Sequence, residues 1–218
     1  MGYNETMKQA KSSVNRNTFL ISYKLFFALL GFSSIVTEMA VLMERGVFKT
    51  ENFFSYFTIE TNILVVATLL LSAVAIAAGK GSKFDLLRSA TTVYILVVGI
   101  GFSALLSHLE DAKLTAVPWD NVVLHYIIPV AMLVDFLTDR PRKKLAFSKA
   151  LLWLLFPIVY ATYALVRGGM TGWYPYPFLN PDISGAGSVA ATVIGLLVLG
   201  FVLVWSVGKL SGGATKAR

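Results

Sequence analysis

Apolar residues dominate this chain in six blocks, separated by short polar stretches. The blocks run over about 18–43, 53–78, 86–107, 121–138, 149–166 and 188–207, each near the roughly 20 residues that a helix needs to cross a bilayer. They predict an all-α, polytopic integral membrane protein. One six-helix domain covers 18–207, with a polar N-terminal arm at 1–17 and a polar C-terminal tail at 208–218. The first block is too long for a signal peptide and lacks a small-residue cleavage site, so it reads as an uncleaved span. No internal repeat interrupts this pattern.

Composition agrees with the pattern. Of 218 residues, 56% are hydrophobic and 14% charged, against about a quarter charged in a soluble domain. The net charge of +7 is confined to particular loops. Lys8, Lys11, Arg16, Lys80, Lys83, Arg88, the five basic residues from Arg140 to Lys149, and Lys209, Lys216 and Arg218 all fall on one side. Arg45, Lys49, Lys113 and Arg167 fall on the other. The positive-inside rule then puts both termini in the cytoplasm. Such segregation marks topology, not a nucleic-acid stripe, so no nucleic-acid partner is expected. Lys24 is expected to snorkel to the headgroups, Asp135 to pair with Arg140 and Arg142, and the Arg140–Lys144 cluster to meet anionic lipid. With no cysteine, the chain has no disulfide, thiolate nucleophile or Cys-based metal site.

Against that background, polar residues inside the spans stand out, because each is expensive in lipid. Thr58-Ile59-Glu60-Thr61-Asn62 opens the second block, and His125 lies one turn inside the fourth, four residues before Pro129. Both positions fall near the outer face, together with Thr37, Glu38, Ser107, His108, Tyr160 and Tyr163. On a helix Thr58, Thr61 and Asn62 share a face, and Glu60 points away from it. Thr58 is therefore the candidate nucleophile, with Thr61 or Asn62 as supporting donor. The structural alternative is helix packing through the same hydroxyl and amide groups. A neutral His125 can take a proton from a hydroxyl and return it to a leaving group. Pro129 lacks the N–H that would bond the His125 carbonyl, so a bend is expected there. The two histidines and scattered carboxylates offer no spaced ligand set, so neither a metal nor another cofactor is expected. Gly172 to Pro181 holds three prolines and four aromatics, a composition for a rigid interfacial lid formed by Trp173, Tyr176 and Phe178.

Three segments resemble a known family. Phe54-Ser-Tyr-Phe-Thr-Ile-Glu-Thr-Asn62, Asn121-x-x-x-His125 followed by Pro129, and Trp173-Tyr-Pro-Tyr-Pro-Phe178 are similar, in order, to segments of the androgen-induced, flank-organ androgen-regulated membrane proteins. They are closer still to that family's bacterial six-helix relatives, which implies a multi-pass protein of the plasma membrane. Characterised members are Thr-dependent hydrolases of fatty acid esters of hydroxy fatty acids. The resemblance assigns their intramembrane Thr to Thr58 and their His to His125. The chain departs from the family in its shorter histidine-to-proline spacing and in carrying Glu60.

The expected activity is thus hydrolysis of a membrane lipid ester. Thr58 and His125 carry it, and Asn62, Thr61, Asn121 and Tyr174 are candidate supporting or oxyanion groups. Two alternatives remain open at this level: a small proton-coupled transporter using His125, Glu60 and Asp135, and a non-catalytic membrane scaffold. The sequence carries no signal for an oligomeric state.

Overall fold

A computed structural model describes residues 2–107 and 115–212, with side chains from Val14 onward. The described chain is all-helical, and six helices are long and apolar enough to cross a membrane. They are α1 (Gly2–Glu44), α2 (Phe57–Ala77), α3 (Asp85–Leu105), α4 (Pro118–Thr138), α5 (Phe147–Thr171) and α6 (Ala186–Leu210). His108 and Lys113 lie outside the described residues. The helix of α1 already includes the polar residues ahead of its apolar stretch, which begins at Val14.

Between their end turns, helices of this composition satisfy their main-chain polar groups internally and leave apolar side chains to face outward or pack on one another. α1 packs along α2, α2 along α3, and α3 against both α4 and α6. Burial identifies the centre: 72% of the apolar window of α3 is buried, against 17% for α6. Val65, Leu69, Ile95, Ile128, Met132 and Phe136 form the dry middle of the bundle. Outward-facing residues such as Val74, Leu152 and Ile194 are apolar yet exposed, as lipid-facing positions are.

Two departures from regular helix shape one end of the bundle. The second apolar block is not continuous: a single turn at Thr50–Phe53 is followed by a break before α2 begins at Phe57. In α4, residues Val123–Ile127 form a π turn, so the Ile128 N–H bonds the carbonyl of Val123. Wide turns of this kind accommodate a proline that cannot donate, and they recur at functional sites. The distortion expected of Pro129 therefore takes the form of an extra residue in the turn bearing His125. Gly99 of α3 lies opposite, where a Cβ would stand 2.9 Å from Pro129 Cβ and 3.1 Å from the His125 carbonyl oxygen.

The other end of the bundle corrects three expectations. Lys24 does not snorkel: it is fully buried and forms an ion pair with Asp135. Asp135 pairs with Lys24 and with Arg88 at 3.1 Å, not with Arg140 or Arg142. Arg88 is not a loop residue but lies buried in α3, and it also holds Asp139 and Asp85, at 3.0 and 3.1 Å. Apolar helices can bury such charges only when they are paired, and sequence proximity does not reveal partners on other helices.

Candidate functional site

The first turn of α2 needs partners for its free N–H groups, because its N-cap residue, Tyr56, supplies no side-chain cap. Two phenols take that role. Phe57 N–H donates to Tyr160 Oη of α5 at 3.2 Å, and Thr58 N–H donates to Tyr176 Oη at 3.1 Å. Tyr160 in turn donates to the Ser55 carbonyl at 2.9 Å. The helix start that carries Thr58 is thereby fixed by α5 and by the loop before α6.

The Thr58 hydroxyl lies 3.3 Å from His125 Nε2 and 3.2 Å from Tyr176 Oη. The other imidazole nitrogen, Nδ1, is 3.0 Å from the main-chain carbonyl of Asn121. A carbonyl only accepts, so Nδ1 carries the proton and the lone pair of Nε2 faces Thr58. The directions of the remaining bonds follow. Thr58 Oγ1 donates to His125, and Tyr176, having accepted the Thr58 N–H, donates its own proton to Thr58 Oγ1. Phe102 stacks on the imidazole, with ring centroids 3.9 Å apart and planes at 23°. Ring, hydroxyl and phenol are all buried. Burial pushes the Tyr176 phenol up to about 12, so it is a neutral donor at ordinary pH.

Thr58, His125 and Tyr176 form the wall between two cavities. One, of about 90 Å³, is apolar and lies between α3, α5 and α6, where Val97, Gly101, Phe102, Leu154, Leu196 and Gly200 line it. The other, of about 250 Å³, is polar and bordered by Glu38, Arg45, Lys49, Asn52 and Thr115. Glu38 is largely buried at its edge, and its two carboxylate oxygens accept the Ala116 N–H at 2.9 and 2.8 Å, docking the segment that leads into α4. Tyr56 also borders this cavity, and burial, then the Glu38 charge, raise its phenol above the ordinary value.

The remaining sequence candidates fall in different places. Asn62 directs its amide N–H groups to the carbonyls of Thr58 at 2.8 Å and Leu124 at 3.4 Å, bridging α2 and α4. Thr61 is buried, with a hydroxyl that has no partner among the described residues. Asn121 serves His125 through its carbonyl, while its side-chain oxygen has no partner among the described residues. Tyr174 packs on Gly168 of α5, its ring only 2.1 Å from where a Cβ would stand, and it lines neither cavity. Trp173 lines the polar cavity and Phe178 the apolar one. Tyr176, read from sequence as part of a lid, brings its hydroxyl into the site itself; its place between two prolines, which limit the loop to few paths, was the available signal. Phe102 gave no such signal, being one aromatic among many in an apolar span. Among the described residues no three His, Asp or Glu side chains come together as a metal set would. Comparisons with family models, curated proteins and solved structures find no match to this chain.

Proposed function

We propose that this protein is an intramembrane threonine-dependent hydrolase of lipid esters. The observation that carries the reading is the 3.3 Å approach of Thr58 Oγ1 to an imidazole whose other nitrogen is tied to a carbonyl. A threonine hydroxyl is a weak nucleophile unless a base of this kind stands beside it. Thr58 Oγ attacks the ester carbonyl carbon as its proton passes to His125 Nε2. The tetrahedral oxyanion accepts the Tyr176 O–H. Collapse expels the alcohol, which takes the proton back from His125 and leaves an acyl-threonine. Water, deprotonated by His125, then releases the fatty acid and restores Thr58.

The two cavities support the same reading. The apolar space between α3, α5 and α6 lies against Thr58 and has room for the first few methylenes of an acyl chain, while the polar cavity offers room for the alcohol half and for water. In this reading the six helices span the plasma membrane with both termini cytoplasmic, and the substrate enters from the outer leaflet. Fatty acid esters of hydroxy fatty acids are the first substrates to try, because of the resemblance carried by Thr58, His125 and the Trp173–Phe178 segment.

The test uses the purified full chain in detergent or nanodiscs. Fatty acid release is measured from esters of hydroxy fatty acids and from simpler lipid esters. Thr58→Ala and His125→Ala should each lower turnover by about a thousandfold or more. Labelling by a fluorophosphonate probe should disappear in Thr58→Ala. Wild-type turnover in both variants would exclude the mechanism.

A further inference from the structure

At the end of the bundle opposite Thr58, four segments, among them the end of α2 with the turn that follows it, enclose a polar pocket of about 70 Å³. α1 contributes Arg16, the start of α3 contributes Asp85, and the turn after α4 contributes Asp139, Arg140 and Arg142. All six carboxylate oxygens of the neighbouring acids are already engaged. Asp135 holds Lys24 through one oxygen and Arg88 through the other. Asp139 holds Arg16 at 3.3 Å through Oδ1, and Arg88 and Lys24 through Oδ2. Asp85 holds Arg88 through Oδ1 and accepts the main-chain N–H of Arg142 through Oδ2, at 3.1 Å each. Two guanidinium groups are left over. Arg140 and Arg142 have no acidic partner among the described residues, and both line the pocket.

The turn that carries them is held in place. The Arg142 main chain is fixed on Asp85, and the Gly212 N–H bonds the Pro141 carbonyl at 3.0 Å. Nη2 of Arg142 lies 3.9 Å from the Cβ position of Gly81, so its guanidinium sits over the turn between α2 and α3. We propose that this pocket binds a phosphate group, with Arg140 and Arg142 as its ligands and Arg16 on its rim. The planar fork of a guanidinium matches phosphate oxygens in pairs, and acids whose oxygens are occupied do not compete for it. The phosphate belongs either to the headgroup of an anionic phospholipid or to a soluble phosphate. The span boundaries favour the headgroup. The apolar helices begin at Val14 and Asp85 and end at Ala77 and Thr138 around this pocket, which is the depth of lipid phosphates in a spanning bundle. The site is independent of the Thr58 chemistry.

Native mass spectrometry of the full chain in neutral detergent provides the test, with phosphatidylglycerol and phosphatidylcholine as probes. Arg140→Gln/Arg142→Gln is compared with Lys143→Gln/Lys144→Gln, which removes equal charge from the same loop outside the pocket. The arginine pair should lower phosphatidylglycerol retention by about tenfold to thirtyfold, and the lysine pair by less than about threefold. Inorganic phosphate that raises the thermal midpoint of the wild type but not of the arginine variant, without selective lipid retention, would identify a soluble phosphate as the ligand. Equal loss in the two double variants would overturn the proposal in favour of delocalised attraction. So would equal retention of both lipids with no effect of phosphate.

Discussion

Tyr176 reaches across 118 residues of sequence to make two contacts with Thr58, accepting its main-chain N–H at 3.1 Å and meeting its hydroxyl at 3.2 Å. The first contact caps a helix, and only the second bears on chemistry. Tyr160, which accepts the neighbouring Phe57 N–H, separates the two roles. Tyr160→Phe and Tyr176→Phe should each cost about 1 kcal/mol of stability, as loss of a cap does. Only Tyr176→Phe should also lower kcat, by about 10²- to 10³-fold, as removal of an oxyanion donor does. A similar loss of kcat in both variants would reduce Tyr176 to a cap.

The same phenol makes a statement about pH. Its value of about 12 in the folded protein lies above the ordinary 10 of an unfolded chain. The folded state therefore keeps a proton that the unfolded state releases between these values. Its contribution to stability is complete below about pH 10 and is lost as pH rises towards 12. Turnover should accordingly show no alkaline limb from Tyr176 below about pH 10. A limb that begins near pH 8 and vanishes in Tyr176→Phe would contradict this assignment.

Gly99 should not tolerate a side chain. A Cβ there would stand 2.9 and 3.0 Å from ring carbons of Pro129 and 3.1 Å from the His125 carbonyl. A proline ring and a carbonyl cannot swing aside, so α3 and α4 must separate. Gly99→Ala should cost about 1–3 kcal/mol, as overpacking does. It should also lower kcat, because the turn that aims His125 moves with α4. Unfolding in detergent and ester turnover are the two measurements.

Much of this arrangement was legible in the sequence, for a physical reason. Lipid makes polar groups costly, so Thr58 and His125 stood out in apolar blocks, and helical phase separated Thr58 from Glu60. The six apolar helices followed from hydropathy alone, with ends displaced by a few residues where Thr50–Phe53 and Pro118 set local boundaries. Partners that come from other helices or loops leave no comparable trace. The Tyr176 hydroxyl, the Phe102 stack and the Lys24–Asp135–Arg88 pairing depend on how elements meet, and neither spacing nor composition encodes that directly.

The buried charge cluster should behave as a balanced set. Arg88→Leu leaves Asp135, Asp139 and Asp85 each short of a partner and should cost about 3–5 kcal/mol. Lys24→Met/Asp135→Leu removes one charge of each sign and leaves Arg88 on Asp139 and Asp85. That double variant should be more stable than either single one, giving a favourable coupling of about 1–3 kcal/mol in a double-mutant cycle. Additive losses would mean that the charges are held independently.

The apolar cavity makes a prediction about substrate length. Gly101 lines it from α3 and Gly200 from α6. At Gly101 a Cβ would meet only the Leu196 methyl, at 3.3 Å, a flexible neighbour that can give way. A larger residue can therefore be placed there without forcing the helices apart, and it fills space that an acyl chain would use. Gly101→Leu should lower kcat/KM for long-chain esters by about tenfold to a hundredfold, because each lost methylene contact in such a pocket carries about 1–3 kcal/mol. Short-chain esters, which need less of this cavity, should be hydrolysed within about threefold of the wild-type rate. A chain-length series of esters separates the outcomes: a uniform loss would point to damage at Thr58 or His125, whereas a loss that grows with length places the acyl chain between α3, α5 and α6.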